Sequence, residues 1–465
     1  MKCHKPQLVY HDAYAEGLKK LGLFQVCRMG NVILRDRSLI QAFIERWRSE
    51  THSFHMPVGE MTITLQDVGC LLGLPVSGVP ITGVAYRDWR LMLENCLGRS
   101  IPDDAWRNKV GNRGFGWSLR LSWLRQNFRT LPVPYTPQQV AFYTRAYILE
   151  FFGSYLFPTT SGDDVPAMYI QFLHDLDSPP VYNWGGAVLA HLYRALSLCV
   201  RPNRPTFAAC ADLLQLWSWT RFACSRPKKS RTGEEFSEWG LPNLEECPPY
   251  GKRWTDNRLW ENPHNAGVGT PRELLDRLED GRGVDWTPYD SVLDRLPSIT
   301  QRDRHVWLAR VPLIHFWTVQ YHYPDRVMRQ FGLRQIVEPP PPLNWTEELL
   351  FQKVSSTDHL EYNFDWGAHW NVLVTAASQP QLYMSVVHGP HDDYSYRTEY
   401  MQWFLSEGMP TVFLERYHGS DVRRPRPLPQ EPPSSQTYLS QSDVYTRIVS
   451  FFCKFFFIFN HYLLH

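Results

Sequence analysis

Residues 54–83 read FHMPVGEMTITLQDVGCLLGLPVSGVPITG, and this run decides the local architecture. Met61, Ile63 and Leu65 alternate with Thr62 and Thr64, the period-two pattern of a half-buried strand. Before it, Pro57-Val58-Gly59-Glu60 carries turn chemistry, because proline presets φ and glycine accepts φ > 0. Phe54 and His55 precede the turn, and His55 and Glu60 flank it closely enough to pair across it. Thr64 then opens a helix: Thr64-Leu65-Gln66-Asp67 resembles a capping box, with an acid near the positive end of the helix dipole. Val68, Leu71 and Leu72 form the apolar face of that helix. Gly73 stands where a C′ glycine belongs, followed by Leu74 and by Pro75, which forbids continuation.

Outward from this corner the pattern is helical. Tyr14, Leu18, Leu21 and Leu23 share a face in a helix that Leu21-Gly22-Leu23-Phe24 ends, and Leu34–Trp47 is amphipathic, with Leu39, Phe43 and Trp47 four residues apart. Further helices are expected over Tyr86–Leu97, Ser118–Phe128, Gln138–Phe152, Trp184–Val200, Thr206–Phe222 and Pro271–Leu278. Ser118–Phe128 turns Leu121, Leu124 and Phe128 inward and its arginines outward. Arg304–Tyr321 is expected to be a long apolar helix kinked at Pro312. Strand-like alternation is confined to the hairpin near 54–65 and a minor β element near 372–387, so the fold class is mainly α.

A chain of 465 residues with 43% hydrophobic and 20% charged residues can bury a large core. The net charge of +1 supplies no overall field toward nucleic acid or acidic lipid. Only ten of the 48 Lys and Arg residues are lysine, so bidentate, ring-stacking arginine carries most of the positive charge. Nine cysteines without a CxxC pair point to buried thiols of a reducing compartment, Cys70 and Cys199 among them. The first residues lack the apolar core of a signal peptide, and an intracellular protein is the expectation.

The stretch 54–83 closely resembles the signature of the plant mobile domain family, a transposon-associated module also carried by the maintenance-of-meristems proteins and often labelled "aminotransferase-like". Further family-like blocks follow in the family's order: GVAYRDWRLMLENCLG, WSLRLSWLRQNF, AYILEFFGSYLFP, VYNWGGAVLAHLYRALSLC, ADLLQLWSWTRF and WLARVPLIHFWTVQYHYPDRVMRQFGL. The likeness weakens after the proline run 339–342, although Tyr400-Met401-Gln402-Trp403 is similar to the family's closing helix. The resulting organisation is a tail over 1–7, the domain over 8–420 (in one or two helical lobes, with a polar loop at 225–252), a Pro/Ser/Gln-rich disordered linker over 421–445 and an apolar segment over 446–465. Within the last of these, residues 448–464 are short for a bilayer span and interrupted by Lys454, Asn460 and His461. They read as a tail anchor, an interfacial helix, or a read-through terminus.

No catalytic constellation stands out. Pyridoxal phosphate chemistry needs a lysine in a strand-loop context, and Lys109 and Lys353 have none. Gly162-Asp163-Asp164 and Pro390-His391-Asp392-Asp393 are superficial metal candidates, read as solvated turns; His174, His191 and His315 lie on expected helical faces. A helix-turn-helix reading of 64–79 fails because Gly78, Pro80 and Gly83 occupy the recognition-helix window. Arg226, Lys228, Lys229 and Arg231 form the one concentrated basic run, suited to nuclear import or to phosphate contact.

The residues read as the structural signature are Phe54, His55, Pro57, Gly59, Glu60, Thr62, Thr64, Asp67, Gly73, Leu74 and Pro75. What the resemblance implies is a nuclear, non-enzymatic interaction factor without cofactor, acting in transposable-element silencing and developmental gene expression. Its implied partner is a type-seven serine/threonine phosphatase-like protein, with any chromatin contact indirect and no membrane contact unless 448–464 is a tail anchor. The alternative is a sequence-tolerant nucleic-acid-binding protein of transposon origin.

Overall fold

The computed structural model describes residues 6–29, 36–82, 88–108, 117–200, 206–227, 247–255, 260, 269–279, 282–316, 318–335 and 399–404. All belong to the first of two units, Met1–Leu414; the second, Glu415–His465, lies outside the described residues, as does the expected β element at 372–387. Helix accounts for 53% of the interpretable residues and strand for 12%, which makes the protein mainly α with minor β.

The chain opens with α1 (Ala15–Lys20), α2 (Phe24–Met29) and α3 (Arg37–Ile44). A three-stranded antiparallel sheet follows: β1 (Trp47–Arg48), β2 (Ser53–Met56) and β3 (Gly59–Met61), in that order. Next come α4 (Leu65–Leu72), α5 (Trp89–Leu97), β4 (Trp106–Asn108), β5 (Trp117–Arg120), α6 (Leu121–Asn127), α7 (Pro137–Phe151) and β6 (Asp164–Pro166), with β4, β5 and β6 forming a second antiparallel sheet. The described remainder holds α8 (Trp184–Cys199), α9 (Ala211–Arg221), α10 (Gly269–Asp276), α11 (Ser298–Arg302) and the hairpin β7 (Pro312–His315) and β8 (Thr318–Tyr321).

Local chemistry sets these boundaries. Thr136 caps α7 through a complete capping box with Gln139, and Pro137 occupies the first turn, where its missing N–H costs nothing. Residues 152–156 continue α7 as a π-helical segment. Asp36, Asp88 and Asn183 cap α3, α5 and α8 through side-chain oxygens. The helix α8 packs against α4 and against both strands of the terminal hairpin, so it is apolar nearly all round: Trp184, Val188, Leu189, Leu192 and Leu196 are all fully buried.

Several sequence expectations are corrected. Trp47 ends no helix; it sits in β1 opposite Phe54, because α3 stops at Ile44. The first helix breaks at Leu21-Gly22-Leu23 but restarts at Phe24. Ser118–Arg120 pair with β4 and β6, leaving α6 to begin at Leu121; Arg125 of α6 turns inward to the buried carboxylate of Glu150, 2.7 Å away. Strand β3 is buried on both faces rather than half-buried.

The largest difference is at 304–321, where a kinked helix was expected. The chain instead makes a short 3₁₀ turn at Asp303–Val306 and the β7–β8 hairpin. Pro312 supplies no amide donor and disfavours helix at Val311, while Ile314, Thr318, Val319 and Tyr321 suit a pleated surface. Phe316 makes the turn at φ +52° and donates its N–H to Ile81 O at 2.6 Å.

Candidate functional site

The signature is almost wholly buried, and its polar groups are held by side chains from far along the chain. Thr64 and Asp67 close a full capping box on α4: Asp67 N–H donates to Thr64 Oγ1, and Asp67 Oδ2 accepts from Thr64 N at 2.8 Å and Thr64 Oγ1 at 2.7 Å. The second oxygen, Asp67 Oδ1, accepts from Arg221 Nε at 3.1 Å, Arg221 Nη2 at 2.8 Å and Tyr289 Oη at 2.8 Å. Both partners of this ion pair are completely buried. Arg221 also donates Nη1 to Trp286 O at 2.6 Å and lies over the Tyr289 ring. Burial, followed by the adjacent Asp67 charge, pushes the Tyr289 hydroxyl far above its ordinary range, so it stays a donor.

A second buried pair lies on the hairpin. Glu60 stands opposite His55 in the ladder, but its carboxylate is taken by Arg326, at 2.6 and 2.7 Å, and by Ser53 Oγ at 2.7 Å. Burial alone would raise the Glu60 carboxyl; the Arg326 guanidinium, His55 and the hydrogen bonds outweigh it and hold the carboxyl below its usual value. The His55 ring instead tilts against Phe404, 5.5 Å between centroids.

The backbone around the corner is closed in the same manner. Glu60 N donates to Tyr400 Oη at 3.0 Å. The Gln330 amide takes the place of a further strand, accepting from Thr62 N at 2.8 Å and donating to Thr62 O at 2.7 Å, which is why the ladder can stop at Met61. Leu65 N donates to His322 Nε2 at 3.3 Å, while His322 Nδ1 lies 2.9 Å from Ala309 O and must carry the proton. Burial lowers the His322 ring to about 4, keeping it neutral. Asp303 accepts from Val76 N at 2.7 Å, Ser77 N at 3.1 Å and Ser77 Oγ at 2.7 Å, directly after Pro75.

Two glycines make this closure possible. Gly59 has φ +109°, and a Cβ there would sit 2.7 Å from the Tyr400 ring. Gly73 ends α4 at φ +64°, and a Cβ would lie 2.7 Å from Gln25 Cβ. Phe54 packs on Trp47, Phe43 and Trp217, and Leu74 is fully buried; Pro57 lies at the turn, half-buried.

The remaining candidates are scattered. Asp163 pairs with Arg107 at the surface, whereas Asp164 is fully buried, not solvated, and accepts from Thr159 and Ser161. His174 is exposed; His191 lies on α8, and His315 belongs to β7, its Nε2 2.7 Å from Tyr169 Oη. Arg226 spends its guanidinium on Trp219 O and Thr220 O, at 2.7 and 2.8 Å, and so caps α9. Lys109, Lys228, Lys229, Arg231, Lys353 and 390–393 lie outside the described residues. Among the described residues no group of three or more His, Cys, Asp or Glu could hold a metal, and no helix is long and apolar enough to cross a membrane. The signature's two carboxylates are each paired with an arginine and hydrogen-bonded through both oxygens, an arrangement that joins distant segments of the chain.

The partners Arg221, Tyr289, Asp303, His322, Arg326 and Gln330 were not singled out from the sequence, and Tyr400 was marked only as the start of a family-like closing segment. The sequence marked Asp67 only as a capping acid; its burial, and with it the need for a cation, is visible only in the fold.

Comparison with known proteins places the chain among plant relatives. A 402-residue stretch, 83% of the chain, is 34% identical to the Serine/threonine-protein phosphatase 7 long form homolog of Arabidopsis thaliana but spans 28% of that protein. Protein MAIN-LIKE 2 of the same plant is 34% identical over 64% of this chain and 42% of its own length. Protein MAINTENANCE OF MERISTEMS, also from Arabidopsis thaliana, is 31% identical over 87% of this chain and 76% of its own length. No solved structure matches. The family model described as "Plant mobile domain" matches residues 22–405, from the restart of the first helix to the segment carrying Tyr400, and the chain belongs to that family.

Proposed function

We propose that the chain is a nuclear, non-enzymatic protein-interaction factor, acting with a phosphatase-like partner in transposable-element silencing and developmental gene expression. The observation that carries this reading is the domain's occurrence both in MAINTENANCE OF MERISTEMS and in a protein named as a phosphatase 7 homolog. A module shared by two such proteins is suited to a common assembly. The saturated Asp67–Arg221 and Glu60–Arg326 pairs support it, since they use the domain's buried charges to fix its shape. A fixed surface lowers the ordering cost of docking a partner.

Affinity purification of the tagged full chain from plant nuclei, with and without nuclease, tests the proposal. Recovery of a phosphatase-like protein that survives nuclease supports it. Recovery of chromatin proteins alone, lost on nuclease treatment, would transfer the reading to sequence-tolerant nucleic-acid binding through Lys228, Lys229 and Arg231. A fluorescent fusion excluded from the nucleus would remove the localisation.

A further inference from the structure

Behind the signature, a surface cleft of about 470 Å³ opens between the end of α1, the start of α2, the C-terminal glycine of α4 and α11. That volume falls within the usual range for ligand sites, about 300–1,000 Å³. Its walls include Lys19, Phe24, Gln25, Ser298, Ile299 and Arg302. Lys19, Ser298 and Arg302 are exposed, Phe24 and Ile299 are half-buried, and none of the lining residues is acidic. Cations gather on one ring: Lys19 Nζ lies 5.1 Å from the Phe24 centroid, and Arg28 Cζ lies 5.0 Å from it.

Arg302 pairs with one acid, the buried Asp303, which it shares with the signature's exit. Asp303 already accepts from Val76 N, Ser77 N and Ser77 Oγ besides Arg302, so its carboxylate is engaged with the signature's exit. Arg302 reaches it through Nε at 2.7 Å and Nη2 at 3.2 Å, which leaves Nη1 without a protein partner among the described residues. The cleft therefore offers a lysine ammonium and a guanidinium edge beside two apolar walls.

We propose that this cleft docks an acidic peptide segment of a protein partner, with a carboxylate between Lys19 and Arg302 and an apolar side chain on Phe24 and Ile299. Charge complementarity selects the occupant: the described lining carries Lys19 and Arg302 and no acid, which favours carboxylate, and Ile299 adds an aliphatic wall that suits the branched side chain of a peptide. The shared exposure of ring and cations suits a segment laid across a surface. The proposal rests on the interaction reading above and specifies one contact surface for it.

Fluorescence anisotropy of the full chain against a fluorescein-labelled dodecapeptide alternating Asp/Glu with Leu/Phe tests it. Lys19→Gln and Arg302→Gln are each expected to weaken binding about two- to fivefold. Arg277→Gln, at a cation 78% exposed elsewhere, should leave it unchanged. Lys19→Gln removes no hydrogen bond, so the test holds even if Arg302→Gln loosens the Asp303 turn. Equal binding by both variants and the parent, equal binding of an Asp/Glu–Ser peptide, or loss of single-stranded oligonucleotide binding in the same variants would each overturn the proposal. If both variants bind the probe like the parent yet the chain still retrieves a nuclease-resistant partner, the cleft falls and the interaction reading stands.

Discussion

Replacing Arg221 by methionine tests whether the Asp67–Arg221 pair holds the core together. The substitution removes the hydrogen bonds from Nε and Nη2 to Asp67 and from Nη1 to Trp286 O, while keeping an unbranched apolar stem. Asp67 would retain Thr64 and Tyr289 as donors but lose its cation partner Arg221 in a site with no solvent access. Breaking a buried pair from one side costs about 3–5 kcal/mol, because the remaining charge is uncompensated. Asp67→Asn in the Arg221→Met background neutralises that charge and keeps a carbonyl for the cap. The double variant should therefore lose less than the two single variants combined, by a coupling of about 2–3 kcal/mol. Urea unfolding of the four proteins, followed by tryptophan fluorescence, reads these values. A single-variant loss below about 1 kcal/mol, or strict additivity, would show that the pair is not the joint inferred here.

Further outcomes follow from the same geometry. Thr64→Ala should destabilise by about 1–2 kcal/mol through loss of the α4 cap, checked by the same urea titration. Tyr400→Phe leaves the buried Glu60 N–H unpaired and should cost about 1–3 kcal/mol, with faster hydrogen exchange at that amide. Stability should fall as pH drops from about 6.5 toward 4, because burial holds His191 and His322 near 4 and the unfolded chain binds their protons first. The carboxyl of Glu60, held low in the fold, adds to the loss only once pH falls below its unfolded value, near 4.5. Melting temperatures that stay flat across pH 4–7 would contradict the histidine effect, and an unchanged slope from pH 4.5 down to 3 the Glu60 one. A chain ending before Asp303 loses the partners of Glu60, Thr62, Leu65 and Val76 N–H groups and should show no cooperative melting transition.

The legible part of this fold is the part encoded within one turn of chain. The α4 cap, the Pro57–Gly59 turn and the Gly73 stop each depend on residues three to five positions apart, and all appear where the sequence placed them. Long apolar helices such as α7 and α8 were legible for the same reason. The expected helix at 304–321 failed because its apolar run satisfies either period, and only the partners decide. Ile81 and α8 supply a surface on which a hairpin can bury both strands, so tertiary context overrode the local pattern.

The partners of the signature were illegible for a related physical reason. Asp67 joins Arg221 across 154 positions, and Glu60 joins Arg326 across 266. Arginine is plentiful here, so the spacing of an acid does not name the cation that meets it. The same economy explains why signature and downstream hairpin belong to one folding unit. Among the described residues, the first leaves the backbone donors of Glu60, Thr62, Leu65, Val76 and Ser77 to side chains from beyond residue 300. A short sequence motif can thus mark this family although the motif alone cannot satisfy its own hydrogen bonds. Its spacing records the local half of a joint whose other half is fixed only when Arg326, Gln330 and Tyr400 arrive.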